Sequence, residues 1–201
     1  MKLSSGAKLL FIGDSITDCG RMDDAEDIGY GYVRHIRDYL QLFHSDSQVT
    51  VVNKGISGNT VLDLQARWQE DVISHHPDWV SISIGINDAW KEIEINRYEE
   101  TYRSLIVTAI EKVGAKIILM ETTVNKENPD SEENHQLIPY NEVIRRLAVE
   151  FDAALITLNS GFQKYLRKEN PSILTVDGVH MNSAGNLFIA HHWLQECLLT
   201  V

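Results

Sequence analysis

The chain predicts an α/β fold in which a five-stranded parallel sheet carries helices on both faces. Three observations lead there. Short apolar runs recur along the 201 residues, each closed by Gly, Asn or Asp. Amphipathic stretches of helical period separate them, and strands alternating with helices are the pattern of a parallel sheet. No repeat or linker interrupts the series, so one domain over residues 1–201 is expected.

KLLFI (8–12) reads as the first strand, stopped at Gly13-Asp14. Val33, Ile36, Tyr39, Leu40 and Phe43 form one stripe, which places a helix over 31–43. VTVV (49–52) is the second strand, ending in Asn53-Lys54-Gly55, and Thr60 caps a helix carrying Val61, Leu64 and Trp68. Residues 79–84 form the third strand. Asn96 with Glu99 three residues on predicts the N-cap of a long helix, which Gly114 stops. KIILM (116–120) is the fourth strand, and Pro139 suits the first turn of the helix bearing Tyr140, Val143, Ile144, Leu147 and Phe151. A weaker fifth strand covers 154–158, followed by a short helix over 161–167. Ser183 is expected to cap a terminal helix with Leu187, Ala190, Leu194 and Cys197 inward.

Composition narrows the function. Apolar residues make up 43% and charged residues 23%, which excludes disorder and low complexity. A formal charge of -11 argues against a nucleic-acid partner and for a neutral or apolar substrate. Cys19 and Cys197 make no disulfide scaffold and fit a reducing compartment. The run at 9–12 is too short for a signal-peptide core or a membrane span, so a cytoplasmic location without membrane attachment is expected.

Ligands of such sheets bind beyond the carboxyl ends of the strands, where this chain concentrates its polar punctuation. Ser15 follows the first strand and could meet a carbonyl there; alternatively Ser15, Thr17 or Asp18 merely caps the next segment. Asp177 and His180, three apart, could share a hydrogen bond that leaves the second ring nitrogen free for a serine proton, or form a plain turn. Gly58 and Asn87 follow the second and third strands and offer a backbone N–H and a side-chain amide, but both also suit turns. The pairs His75-His76 and His191-His192 lack metal-site spacing and read as structural or solvated. Neither GISGN nor GDSITDCG matches a phosphate-binding loop.

Taken together, GDS (13–15), GISGN (55–59), GIND (85–88) and DGVH (177–180) resemble the four blocks of the SGNH hydrolases, the GDSL-type serine esterases. The resemblance spans nearly the whole chain and implies a three-layer α/β/α, flavodoxin-like fold. It implies Ser15, Asp177 and His180 as the catalytic residues, and Ser15, Gly58 and Asn87 as the oxyanion hole. Asp14 and Asn59 are expected to tie the first two loops together, and no metal or organic cofactor is needed.

Residues 8–21, 51–73 and 77–90 are similar to the bacterial acetylxylan and xylo-oligosaccharide acetylesterase branch. That implies an acetylated oligosaccharide as substrate, and it leaves room for a homo-oligomer. Met181 stands where a proline usually follows the histidine, and Val176 where an aromatic residue can line the sugar site. The rivals are a lysophospholipase or acyl-thioesterase of the same family, which needs an apolar trough, and a non-enzymatic sugar-binding domain.

Overall fold

The structure, a computed structural model, describes residues 4–199. Five strands, β1 (Lys8–Gly13), β2 (Thr50–Gly55), β3 (Trp79–Ser83), β4 (Lys116–Met120) and β5 (Ala154–Ile156), form one parallel sheet in the order β2-β1-β3-β4-β5. The chain reverses its direction of winding between β1 and β3, and that switch point leaves a crevice beyond the strand ends. Gly13 pairs with Gly55 on one side and Ser83 on the other, so three strands end at one level.

Helices cover both faces, which is why β1 and β3 are buried without alternation, Ser81 and Ser83 included. On one face, α2 (Tyr32–Phe43) packs against α9 (Ser183–Leu194), where Phe11 of β1 meets Tyr32 edge-on and Trp193 at a tilt. On the other, α3 (Val61–Asp71) and α7 (Ile138–Glu150) flank α5 (Ile95–Val113), and Tyr98 makes edge contacts with Tyr102 and Tyr140. The Tyr98 hydroxyl donates to Ile84 O at 3.0 Å, so its polar atom is satisfied in the core.

The cap of α3 follows the sequence expectation. Thr60 accepts from Asp63 N–H while Asp63 reaches back to Thr60 N–H at 2.8 Å, a reciprocal capping box. Gly114 closes α5 in the left-handed conformation.

Several boundaries differ from expectation. α5 starts before Asn96: Tyr98 N–H bonds Glu94 O at 2.9 Å, making Glu94 the cap residue and leaving Asn96 exposed inside the first turn. Asn182, not Ser183, caps α9, its Oδ1 accepting from Gly185 N–H at 3.0 Å. Ala190, Leu194 and Cys197 are buried as expected, but Leu187 points outward, and Asn186, Ile189 and Trp193 complete the buried side. β2 continues through Asn53, because the buried amide donates to Thr17 O and Ile28 O at 2.7 and 2.8 Å. β5 stops at Ile156, and Leu158 already opens α8 (Leu158–Leu166). Three short helices were not foreseen: α1 (Ser15–Asp18), α4 (Ile86–Trp90) and α6 (Glu132–His135).

Candidate active site

The first residue beyond β1 decides how Ser15 is presented. Asp14 is the N-cap of α1, its Oδ1 accepting from Ile16 N–H at 3.0 Å, so Ser15 is the first helical residue. A first-turn N–H has no partner within its own helix and is free to face a ligand. Asp14, rather than Ser15 or Thr17, caps α1, while Asp18 Oδ1 accepts from Arg21 N–H at 3.1 Å where the next turn begins.

The loop after β2 is pressed onto α1. A Cβ on Gly55 would sit 2.2 Å from Asp18 N, so only glycine admits this approach. Ile56 N–H donates to Gly13 O at 3.1 Å, and Asp18 Oδ2 receives both Ser57 N–H (3.1 Å) and Ser57 Oγ–H (2.6 Å). Gly58 has φ 79°, a conformation that strains any side chain, although space around it is open. The tight bend is what requires glycine there.

Asn87 lies in α4, directly after β3. Its Nδ2 donates to Asn59 O at 3.0 Å, which spends one amide hydrogen and fixes the plane of the group. Asp88 is wholly buried, and its Oδ1 accepts from Val61 N–H at 2.9 Å, joining α4 to the start of α3. Arg67 binds Asn59 Oδ1, Lys54 O and Gly13 O at 2.8, 2.7 and 3.2 Å. Asp14 and Asn59 thus do not tie the first two loops directly. Asp14 caps its own helix, Asn59 holds the third loop, and Asp18 and Arg67 make the expected connection.

The fourth segment brings the histidine. Val176 N–H bonds His180 O at 2.8 Å across a tight turn, and Thr175 pairs with Met181 at its base. Glu127 Oε1 pins that base by accepting from Leu174 N–H, Thr175 N–H and Thr175 Oγ–H at 2.6–2.8 Å. Within the turn, Asp177 Oδ1 accepts from the N–H groups of Val179 and His180 at 3.0 and 2.8 Å. Its Oδ2 is 2.7 Å from His180 Nδ1, and His180 Nε2 is 3.0 Å from Ser15 Oγ. The structure brings Ser15, Asp177 and His180 into one hydrogen-bonded relay. The hydrogen bonds from His180 and the two N–H groups lower the Asp177 carboxyl to about 2, so it stays ionised. Burial does the reverse to its neighbours, raising Asp14 to about 6 and Asp88 to about 7.

Cavities of about 250 and 300 Å³ open beside Ser15 and His180. The first is lined by Cys19, Ser57, Met181 and Asn186, the second by Asn87, Trp90, Asn125 and Val179. A serine hydroxyl bonded to a carboxylate-oriented imidazole has the geometry for attack on an acyl carbonyl. Among the described residues, no group of three or more His, Cys, Asp or Glu side chains is arranged to hold a metal ion.

The model of the GDSL-like lipase/acylhydrolase family matches residues 11–187, from β1 into α9. The chain belongs to that family. This acylhydrolase is similar to an acetylxylan esterase of Geobacillus stearothermophilus, 40% identical over 211 residues that cover 98% of this chain and 96% of that protein. It is more distantly similar to thioesterase 1/protease 1/lysophospholipase L1 of Escherichia coli K12, at 27% identity over 94% of this chain and 82% of that one. A crystal structure of the Geobacillus acetylxylan esterase superposes with a TM-score of 0.89 at 40% identity, covering 98% and 96% of the two chains. An α/β-hydrolase enzyme from the Lake Arreo metagenome superposes at 0.88, with 32% identity over 96% and 95%. The chain is thus a GDSL-type ester hydrolase on the three-layer fold.

The sequence reading missed Asp18, Arg67 and Glu127 as supports. Each is an ordinary charged residue outside the four blocks, and its partners lie on other segments. Asp88 stood inside GIND, and its adjacency to Asn87 was the only available signal.

Proposed function

We propose that this acylhydrolase removes O-acetyl groups from acetylated xylo-oligosaccharides through an acetyl-enzyme. The observation that carries the reading is the relay Asp177–His180–Ser15, with separations of 2.7 and 3.0 Å. Ser15 Oγ attacks the acetyl carbonyl as His180 Nε2 takes its proton. Asp177 orients the ring and stabilises the imidazolium. The oxyanion is held by the N–H groups of Ser15 and Gly58 and by the second Nδ2 hydrogen of Asn87. His180 returns the proton to the departing sugar hydroxyl, and water then repeats the cycle on the acetyl-enzyme. The likeness to the Geobacillus acetylxylan esterase over nearly the whole length of both chains supports the sugar ester as substrate. The two unpaired cysteines suit a reducing, cytoplasmic setting, and no helix among the described residues is long and apolar enough to cross a membrane.

The likeness to the E. coli thioesterase/lysophospholipase favours a second reading, hydrolysis of long acyl esters. Acyl length separates the two. Each added methylene gains about 0.8 kcal/mol where apolar space exists and costs strain where it does not. Acetate release from acetylated xylo-oligosaccharides is expected, with kcat/KM on nitrophenyl esters falling steeply from acetyl to butyryl and negligible at octanoyl. A preference for octanoyl esters would overturn the acetylesterase reading.

A further inference from the structure

Of the four tryptophans, three do structural work in the interior: Trp68, Trp79 and Trp193 are 3, 8 and 0% exposed. Trp90 is 74% exposed. It closes α4, a helix already anchored by the buried side chains of Ile86, Asp88 and Ala89, so its indole adds nothing to that anchorage. Among the described residues it has neither a ring partner nor a hydrogen-bond partner. One exposed aromatic residue on a surface is ordinary, but one that lines the cavity of the catalytic serine is placed to meet the ligand.

Its position says which one. Trp90 lines the same 300 Å³ cavity as Ser15, Asn87 and His180, three residues along the chain from the amide donor. The cavity also contains Asn125, whose backbone N–H is bound to Asn134 Oδ1 at 2.9 Å. The side-chain amide of Asn125 makes no hydrogen bond to the described residues, so its two N–H donors and its acceptor oxygen remain uncommitted. A flat π-face beside a free amide complements a pyranose, which presents axial C–H groups on its faces and hydroxyls around its edge. It does not complement a phosphorylated ligand, because the titratable groups lining the cavity are Asp14, Asp177 and His180, with no lysine or arginine.

We propose that Trp90 is the stacking platform for the sugar ring bearing the acetyl ester and that the Asn125 amide reads one of its hydroxyls. This cavity is then the leaving-group side of the site and determines the preference for sugar acetates over simple alkyl acetates. The inference rests on the acetylated-sugar reading above, and it assigns that reading's specificity to two residues outside the relay.

The test compares kcat/KM for acetylated xylotriose with kcat/KM for ethyl acetate, whose leaving group has neither ring nor hydroxyl pattern. In W90A the sugar-to-ethyl ratio is expected to fall about tenfold, mainly through KM, the scale of one lost aromatic contact. W90F, which keeps a ring, should hold the ratio within about threefold of the parent, and N125A should lower it by a smaller factor. If W90A fails to fold, W90L carries the same expectation. A parent enzyme active on the sugar whose ratio is unmoved in these variants overturns the Trp90 assignment alone. A parent that hydrolyses ethyl acetate but releases nothing from the sugar overturns the sugar reading and this inference together.

Discussion

Two sets of carboxylates lie within the same crevice and are governed by opposite physics. Asp177 stands at the surface with His180, each side chain 51% exposed, and hydrogen bonds hold its carboxyl down to about 2. Asp14 and Asp88 are 3% and 0% exposed, and burial raises them to about 6 and 7. One Asp88 oxygen has no hydrogen-bond partner among the described residues, the state in which a buried carboxyl favours its neutral form. The exposed carboxylate is arranged to keep a charge beside the imidazole, whereas of the buried two Asp14 caps α1 and Asp88 joins α4 to α3. Solvent access and donor count thus divide chemistry from scaffolding among residues of one type.

The sharpest way to break that division is to remove the reacting groups. S15A is expected to lower esterase kcat by at least about three orders of magnitude, with the melting temperature unchanged. Survival of turnover in S15A would move the nucleophile elsewhere. N87A should lose about 2.7–4 kcal/mol of transition-state stabilisation, read as kcat. A preserved kcat with a lower melting temperature would put Asn87 on the scaffolding side.

The buried pair should respond to pH through stability. A folded pKa above the unfolded value of 3.8 means the native state keeps a proton that the unfolded chain has released. The stabilising contribution of Asp88 is therefore complete below about pH 4 and is lost as pH rises to about 7. D88N retains the acceptor for Val61 N–H and should flatten the fall in stability between pH 5 and 8 by about 2 kcal/mol. An unaltered pH profile in D88N would show that Asp88 is ionised in the folded protein. The smallest effect is on the exposed side. The contribution of Asp177 is present above its unfolded value of 3.8 and lost as pH falls towards 2. Solvent screening keeps this below about 1 kcal/mol, measurable as a difference between D177N and the parent in acid unfolding.

The sheet was legible because parallel strands buried on both faces are written as continuous apolar runs, as in residues 8–12 and 116–120. Its limits were less so. Asn53 and Lys54 read as loop residues, yet β2 runs through them because Asn53 finds acceptors on Thr17 and Ile28, 36 and 25 residues away. α1 has four residues and one cap bond, too little periodicity to register. The cap of α9 falls on Asn182 rather than its neighbour Ser183, since Asn and Ser are near-equivalents at such positions. By contrast, α5 begins at Glu94 with no side-chain cap at all, so the capping pattern of Asn96 and Glu99 had no bearing on where it starts. In the site, each motif alone had a plain turn reading, and the four acquired meaning only as an ordered set. His180 and Ser15 are 165 residues apart, and nothing local in either block says that the sheet order will bring them together. The supports Asp18 and Asp88 reach partners 39 and 27 residues away, so their roles follow from the fold rather than from any local pattern.

The chemistry belongs to the exposed relay and to no serine other than Ser15. Fluorophosphonate labelling followed by intact-protein mass measurement and peptide mapping tests it most directly. One adduct per chain is expected on Ser15, absent in S15A and formed much more slowly in a His180→Ala variant. A label on Ser57, Ser81 or Ser83, or equal labelling of S15A and the parent, would contradict it.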